Sequence, residues 1–376
     1  MTIAGTYDPR ATFYIRPWTA QYTSWYPRWE ATLEDISRTA CNETLQEYRA
    51  AYDAPVNSYT SYLLLTACYR HEACTYGQLT EDQQLSFQSS LVLLGLVPSL
   101  LSSIGPNIAD IIMLSSHRPV LAFILSLGAP AILPSRILEY SDPHSVIMLG
   151  HGKLTLRPQK PWIALAIGVS QYICSLVAAA NVLYVTIDMG RKSIVSWSCT
   201  GTFLPVVWVL LASSLHLFII LGHRFSMWRA RRGRSMVKSN IVPGQPIRPR
   251  RSIMRHPLQF LSSIPRKLMD EFRICANRDI SPLSDRPTEV PLTAIFLNTA
   301  AGGLAFVHIL GGTAVFSSLQ FVSMANALDP ILWRLVLSAL ACRLVLVVEL
   351  AGLRALSSTA RITSQDHEDV HHHPES

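Results

Sequence analysis

Charge is scarce in this chain. Asp, Glu, Lys and Arg make up 15% of its 376 residues, where soluble domains carry about 25%, and the mean hydropathy is +0.25. The deficit falls in blocks: Pro161 to Ile187, Phe203 to Gly222 and Pro291 to Phe316 contain no charged residue. A hydrocarbon core of about 30 Å takes roughly 20 apolar helical residues to cross, and each block is long enough. A helix in a soluble core keeps one polar face, so these blocks exclude an ordinary soluble domain and predict transmembrane helices. Recognisable catalytic patterns are also absent: the chain has no phosphate-cradling Gly loop, HExxH or CxxC pair, GxSxG elbow or nucleotide fingerprint. Its halves do not show the inverted repeat of many secondary transporters. No catalytic residue, metal site or cofactor is therefore assigned. The opening residues, MTIAGTYDPRATFYIRPW, lack the basic and apolar regions of a signal peptide.

Two further segments read as spans. Ser90 to Ser115 is apolar but interrupted by Pro98, Gly105, Pro106, Asn107 and Asp110, which predicts a kinked span. Ile331 to Leu353 carries Arg334, Arg343 and Glu349 and suits a helix facing the bundle rather than lipid. Pro119 to Pro134 is proline-bounded and short for a crossing. It fits a re-entrant segment, with a sixth span as the alternative. The expected fold is an all-α polytopic transmembrane bundle of five spans plus a re-entrant segment, or six spans, with a small Cys-containing N-terminal head. The regions are 1–88, the head; 90–222, the first part of the bundle, with spans 90–115, 161–187 and 203–222 and the short segment 119–134; 223–290, a basic loop; 291–353, the last two spans; and 354–376, a tail expected to be disordered.

Charge asymmetry sets the expected orientation. Between His223 and Ile274 there are thirteen Lys or Arg against Asp270 and Glu271 alone, whereas residues 1–88 hold six arginines, no lysine and ten carboxylates. Positive loops stay cytoplasmic, which places the basic loop inside and the head outside. The sequon Asn42-Glu43-Thr44 offers a glycosylation site if the head is external, whereas the six-span alternative puts it inside. Cys41, Cys68, Cys74 and Cys199 then lie on the oxidising side and have three ways to pair. A Cys68 to Cys74 bridge would close a small local loop, and Cys199 would clasp an external loop to the head.

The head is rich in aromatics, with Tyr14, Trp18, Tyr22, Trp25, Tyr26 and Trp29 close together, suited to a binding surface or to a small core. Leu33, Ile36, Leu45 and Tyr48 recur at helical spacing between Ala31 and Tyr52. His71 beside Glu72 reads as a structural pair in a loop. The basic segment 223–274 is expected to hold anionic lipid or a cytoplasmic protein rather than nucleic acid, because it adjoins the membrane. Leu258, Leu261, Ile264, Leu268 and Phe272 outline an amphipathic helix there. The tail carries His367, His371, His372 and His373 but no fold to fix them as metal ligands.

Ionisable groups at membrane depth are the default functional candidates, because burying them unpaired is costly. Here they are Asp110, His216, His308, Arg343 and Glu349, with Asn107, Gln171, Asn181 and Asn298 as neutral companions. In the five-span arrangement His216 and His308 differ in depth by about 10 Å at 1.5 Å per residue, too far for one haem iron. Asp110 and Glu349 fall near one end, and Arg343 can reach either as an interhelical salt bridge. Gly302, Gly303, Gly311 and Gly312 offer a small-residue face for close helix packing.

The pieces CYRHEAC, SSLVLLGLVPSLLSSIGP, RPVLAFILSLGAPAILP, SWSCTGTFLPVVW and HILGGTAVFSSLQFV resemble a group of multi-pass membrane proteins of filamentous fungi. The resemblance covers most of residues 41 to 354. It implies an external Cys-containing head and a plasma-membrane or endomembrane setting, and carries over no activity, ligand or site residue. Two classes of function follow: a non-enzymatic surface sensor or scaffold, and a small transporter or channel that uses the intramembrane polar residues.

Overall fold

Helix dominates, and helix-ending residues fix where each element stops. The computed structural model describes residues 19–134, 160–241, 271–277 and 292–371. The elements in order are α1 Glu30–Arg38, α2 Asn42–Asp53, α3 Ser58–Gly77, α4 Glu81–Ile104, α5 Ile108–His117, α6 Pro119–Gly128, α7 Pro161–Lys192, β1 Ile194–Val195, α8 Leu204–Ile241, α9 Leu292–Phe316, β2 Leu319–Gln320 and α10 Arg334–His371. A wider π turn, Ala327–Trp333, leads into α10 and accommodates Pro330. Among the described residues, five helices are long and apolar enough to cross a membrane: Glu81–Ile104, Trp162–Lys192, Leu204–Phe225, Ile295–Phe316 and Met324–Leu353.

The expected first span differs from the observed one. It does not run on to Ser115: Gly105 and Pro106 break it after Ile104, and the Asn107 side chain accepts from the Asp110 amide (2.7 Å) to start α5 afresh. Pro119 opens α6 at a position where its missing N–H is harmless. At 10 residues, about 15 Å, α6 is too short to cross. The short segment thus stands as one of a pair of half-length helices, α5 and α6, and among the described residues five helices remain long enough to cross. The last helix continues to His371, so residues 354–371 are helical where disorder was expected. Tyr14, Trp18, most of the basic loop, His372 and His373 lie outside the described residues.

The chain divides into two compact units. One comprises Met1–Leu101, Ala180–Leu211 and His308–Leu337; the other comprises Ser102–Ala179, Ala212–Val307 and Ser338–Ser376. In the first unit, a capping box of Asn57 and Thr60 starts α3, and α1 to α3 pack around Tyr22, Trp25, Leu33, Leu45, Tyr48 and Cys68. Ile194, Cys199 and Phe321 belong to that same core. Strands β1 and β2 pair antiparallel, Ile194 with Gln320 and Val195 with Leu319. Phe321 meets Trp25 edge-on at 5.3 Å and Phe87 at 6.1 Å. Disulfides join Cys41 to Cys74 and Cys68 to Cys199, so the local Cys68 to Cys74 loop does not form and the clasp by Cys199 does.

The second unit packs α5 and α6 with parts of α7 and α10 around Leu114, Leu121, Leu125, Tyr172, Cys342 and Leu346. A separate cluster of Ile108, Ile111, Ile112, Ile219 and Ile220 closes on Ala301 and Ala305 of α9.

Candidate functional site

A buried ionic cluster occupies the second unit. Arg118, at the junction of α5 and α6, is fully buried, and its Nη1 lies 2.9 Å from Glu349 Oε1 of α10. The same guanidinium donates to Gln171 Oε1 and, through Nε, to the Glu271 carbonyl at 2.9 Å. It also sits 5.2 Å over the ring of Tyr172. Glu349 accepts two further bonds, from Gln171 Nε2 (2.7 Å) and the Cys275 amide (3.0 Å). The Glu271 carboxylate accepts from the Val120 and Leu121 amides at 3.0 and 3.2 Å and from the Tyr172 hydroxyl at 2.8 Å. It satisfies the free donors at the start of α6, where the helix dipole also favours a negative charge. One cation and two carboxylates thus tie together α6, α7, α10 and the segment 271–277.

The sequence-predicted residues are distributed differently from expectation. Asp110 pairs with Arg343 at 2.9 Å, and Glu349 pairs with Arg118 instead of Arg343. His216 is buried on α8, with Nδ1 2.7 Å from the Ala212 carbonyl. His308 lies in the other unit, stacked on Trp208 at 5.0 Å, and its carbonyl accepts from the Trp208 indole at 3.0 Å. Arg118 and Glu271 were missed. Arg118 stands between two apolar runs in the motif HRPV, which was the available signal, and Glu271 was counted only as a minority charge of the basic loop. Among the neutral companions, Gln171 joins the cluster, and Asn181 bridges Arg334, accepting from its Nε at 2.8 Å.

Beside Asp110 and Arg343, a cleft bounded by Pro106, Leu125, Ser126, His216 and Cys342 holds about 20 Å³, room for about one water. Among the described residues no group of three or more His, Cys, Asp or Glu is placed to hold a metal ion.

The head holds a second site. His71 lies in α3, not in a loop, and is fully buried. Its Nε2 is 2.8 Å from Ser37 Oγ and its Nδ1 is 2.9 Å from Thr44 Oγ1. Burial first, then the nearby Arg49 charge, lowers its pKa to about 4, so the ring is neutral at physiological pH. Thr44 donates its own proton to the Cys41 carbonyl at 2.9 Å. The pattern therefore assigns the ring proton to Nδ1 and makes Nε2 the acceptor for Ser37. Glu72 is also buried, and desolvation raises its carboxyl to about 7.

Ser37 lines a cavity of about 140 Å³ together with Tyr22, Trp25, Glu34, Arg38 and Arg49. Tyr22 adopts φ of 61°, a conformation rare for a bulky residue, which places its ring at 4.3 Å from His71 and 5.1 Å from Tyr48. The Tyr22 hydroxyl donates to the Cys68 carbonyl at 2.9 Å and lies 3.6 Å from Cys199 Sγ. The buried packing of this ring offsets a backbone cost of about 1–2 kcal/mol.

No protein-family model, no curated protein and no solved structure matches this chain. Fold and composition define its class: it is an all-α, multi-pass membrane protein with a disulfide-bonded head.

Proposed function

We propose that the protein is a non-enzymatic sensor or scaffold of a plasma membrane or endomembrane, with the head outside and the basic segment 223–274 on the cytoplasmic side, against anionic lipid or a protein partner. The observation that carries this reading is the single core shared by the head and the two links that join successive spans. Trp25 of the head packs on Phe321, and Cys68 is bonded to Cys199. A change in the head then has a direct mechanical route to residues 193–203 and 317–323. Packed cores switch between discrete arrangements rather than deforming continuously, so such a route favours signalling. The transporter or channel reading has less support: the intramembrane charges are engaged in ion pairs and hydrogen bonds, and the cleft at His216 and Arg343 has room for about one water.

The test uses full-length protein in sealed vesicles. Trp25→Ala should raise hydrogen exchange at residues 193–203 and 317–323, while the vesicles stay as tight to ions and small polar solutes as empty ones. Solute flux above the empty-vesicle rate, or exchange changes confined to residues 19–80, would overturn the proposal.

A further inference from the structure

We infer that the head cavity is a binding site for a small α-amino or α-hydroxy carboxylate; this rests on, and gives a ligand class to, the sensor reading. The size fits, because a cavity of roughly 150 Å³ accommodates a molecule as large as benzene, and this one measures about 140 Å³.

The lining selects the chemistry. Its floor is buried and aromatic: Tyr22 and Trp25 are 6% and 4% exposed. Its rim carries Arg38, Glu34 and Arg49. Arg38 is engaged by Glu34 one helical turn earlier, whereas Arg49 is an exposed guanidinium with no ion pair among the described residues. A guanidinium fork fits a carboxylate through two parallel bonds. Ser37 supplies the second requirement. Its proton is committed to His71 Nε2, so towards the cavity its oxygen can only accept. The ligand must therefore present a hydrogen-bond donor close to its carboxylate, as an α-ammonium or an α-hydroxyl does. Glu34 adds a negative charge on the same rim and favours the ammonium form. An apolar side group would lie on Tyr22 and Trp25, where a cation or a ring is also stabilised. Occupancy would bear on Tyr22, whose hydroxyl is bonded to the Cys68 backbone beside the Cys68 to Cys199 bridge.

The experiment uses full-length protein in lipid nanodiscs, titrated with L-phenylalanine, L-alanine, L-phenyllactate, L-lactate, acetate and inorganic phosphate. Binding is read by calorimetry and by the shift in melting temperature. Saturable binding is expected for the amino acids or the hydroxy acids, stronger with the phenyl group, and at least tenfold weaker for acetate and phosphate. Arg49→Gln, an exposed change, should weaken binding at least tenfold without lowering the ligand-free melting temperature. Direct comparison of L-alanine with L-lactate, and of L-phenylalanine with L-phenyllactate, separates the two ligand sources. Saturation by none of the six compounds, equal binding of acetate, or binding indifferent to Arg49→Gln would overturn the site. Hydrogen exchange at 193–203 and 317–323 is recorded in the same samples. Arg49-dependent binding with no exchange change there supports the site and removes the sensor reading.

Discussion

Arg118 shows how much one side chain holds in this bundle. Fully buried, it neutralises Glu349 and joins four separate pieces of chain through Glu349, Gln171, Glu271 and Tyr172. Removing one partner of a buried pair leaves an uncompensated charge, at a cost of about 3–5 kcal/mol. Arg118→Met is expected to lower the yield of monodisperse protein in detergent sharply and to reduce its melting temperature. Arg118→Met with Glu349→Gln should recover more than half of that loss, because no charge is then stranded. A double variant as unstable as the single one would show that geometry, not charge balance, dominates. Arg343→Met should cost less, since that side chain is 38% exposed.

In the head, Glu72 and His71 give opposite pH dependences. The Glu72 carboxyl is raised from 4.5 to about 7, so its contribution to stability is full below pH 4.5 and is lost as pH rises through 7. The His71 imidazole is lowered from 6.5 to about 4; its contribution is full above pH 6.5 and is lost as pH falls through 4. Between these limits the two slopes offset each other. Glu72→Gln should therefore stabilise the head at pH 8, by on the order of 2–3 kcal/mol, and bring no gain at pH 4. Melting curves of wild type and variant across pH 4 to 8 check this, and a gain independent of pH would remove titration as its cause.

At the scale of elements, close approach is decided glycine by glycine. The four glycines of α9 form one small-residue stripe in the sequence, yet only part of it meets a neighbour. A Cβ on Gly312 would collide with the Trp208 indole and with Pro98, while one on Gly303 or Gly311 would meet nothing within 4 Å. Gly303→Ala and Gly311→Ala are expected to be neutral or slightly stabilising, because alanine favours helix by about 1 kcal/mol. Gly312→Ala should destabilise by about 1–3 kcal/mol, the usual cost of overpacking, and should disturb the Trp208 fluorescence. Equal melting temperatures for the three variants would contradict this. The same logic explains α6: proline at its first position and the Glu271 carboxylate across its amides make a 10-residue helix stable where propensity alone would not.

For the whole molecule, the proposed orientation, with the head outside and the basic segment on the cytoplasmic side, makes a definite biochemical prediction. Asn42 is exposed at the start of α2, and protein made in eukaryotic cells should carry a glycan there. Endoglycosidase should shift the wild type and leave Asn42→Gln unchanged, while residues 223–241 should be cleaved by protease only from the cytoplasmic side. Cleavage of that segment in intact cells would reverse the orientation. The external reading also fits the two head disulfides, because such bonds persist in oxidising compartments.

Charge-free blocks of 20 residues or more determined the membrane class and three of the spans from sequence alone, since no other solvent accepts so long an apolar helix. The break at Gly105-Pro106 and the brevity of Pro119–Gly128 were also written locally, in residues that end or start helices. Pairing was not. That Glu349 finds Arg118 rather than Arg343, that Cys41 joins Cys74 and Cys68 joins Cys199, and that His71 bonds to Ser37 beside a cavity shared with Arg49 depend on contacts between residues far apart in the chain. Hydrophobicity and helix-ending residues act within a few turns and are legible one segment at a time. A charge or a thiol selects its partner by distance, which exists only once the segments have packed.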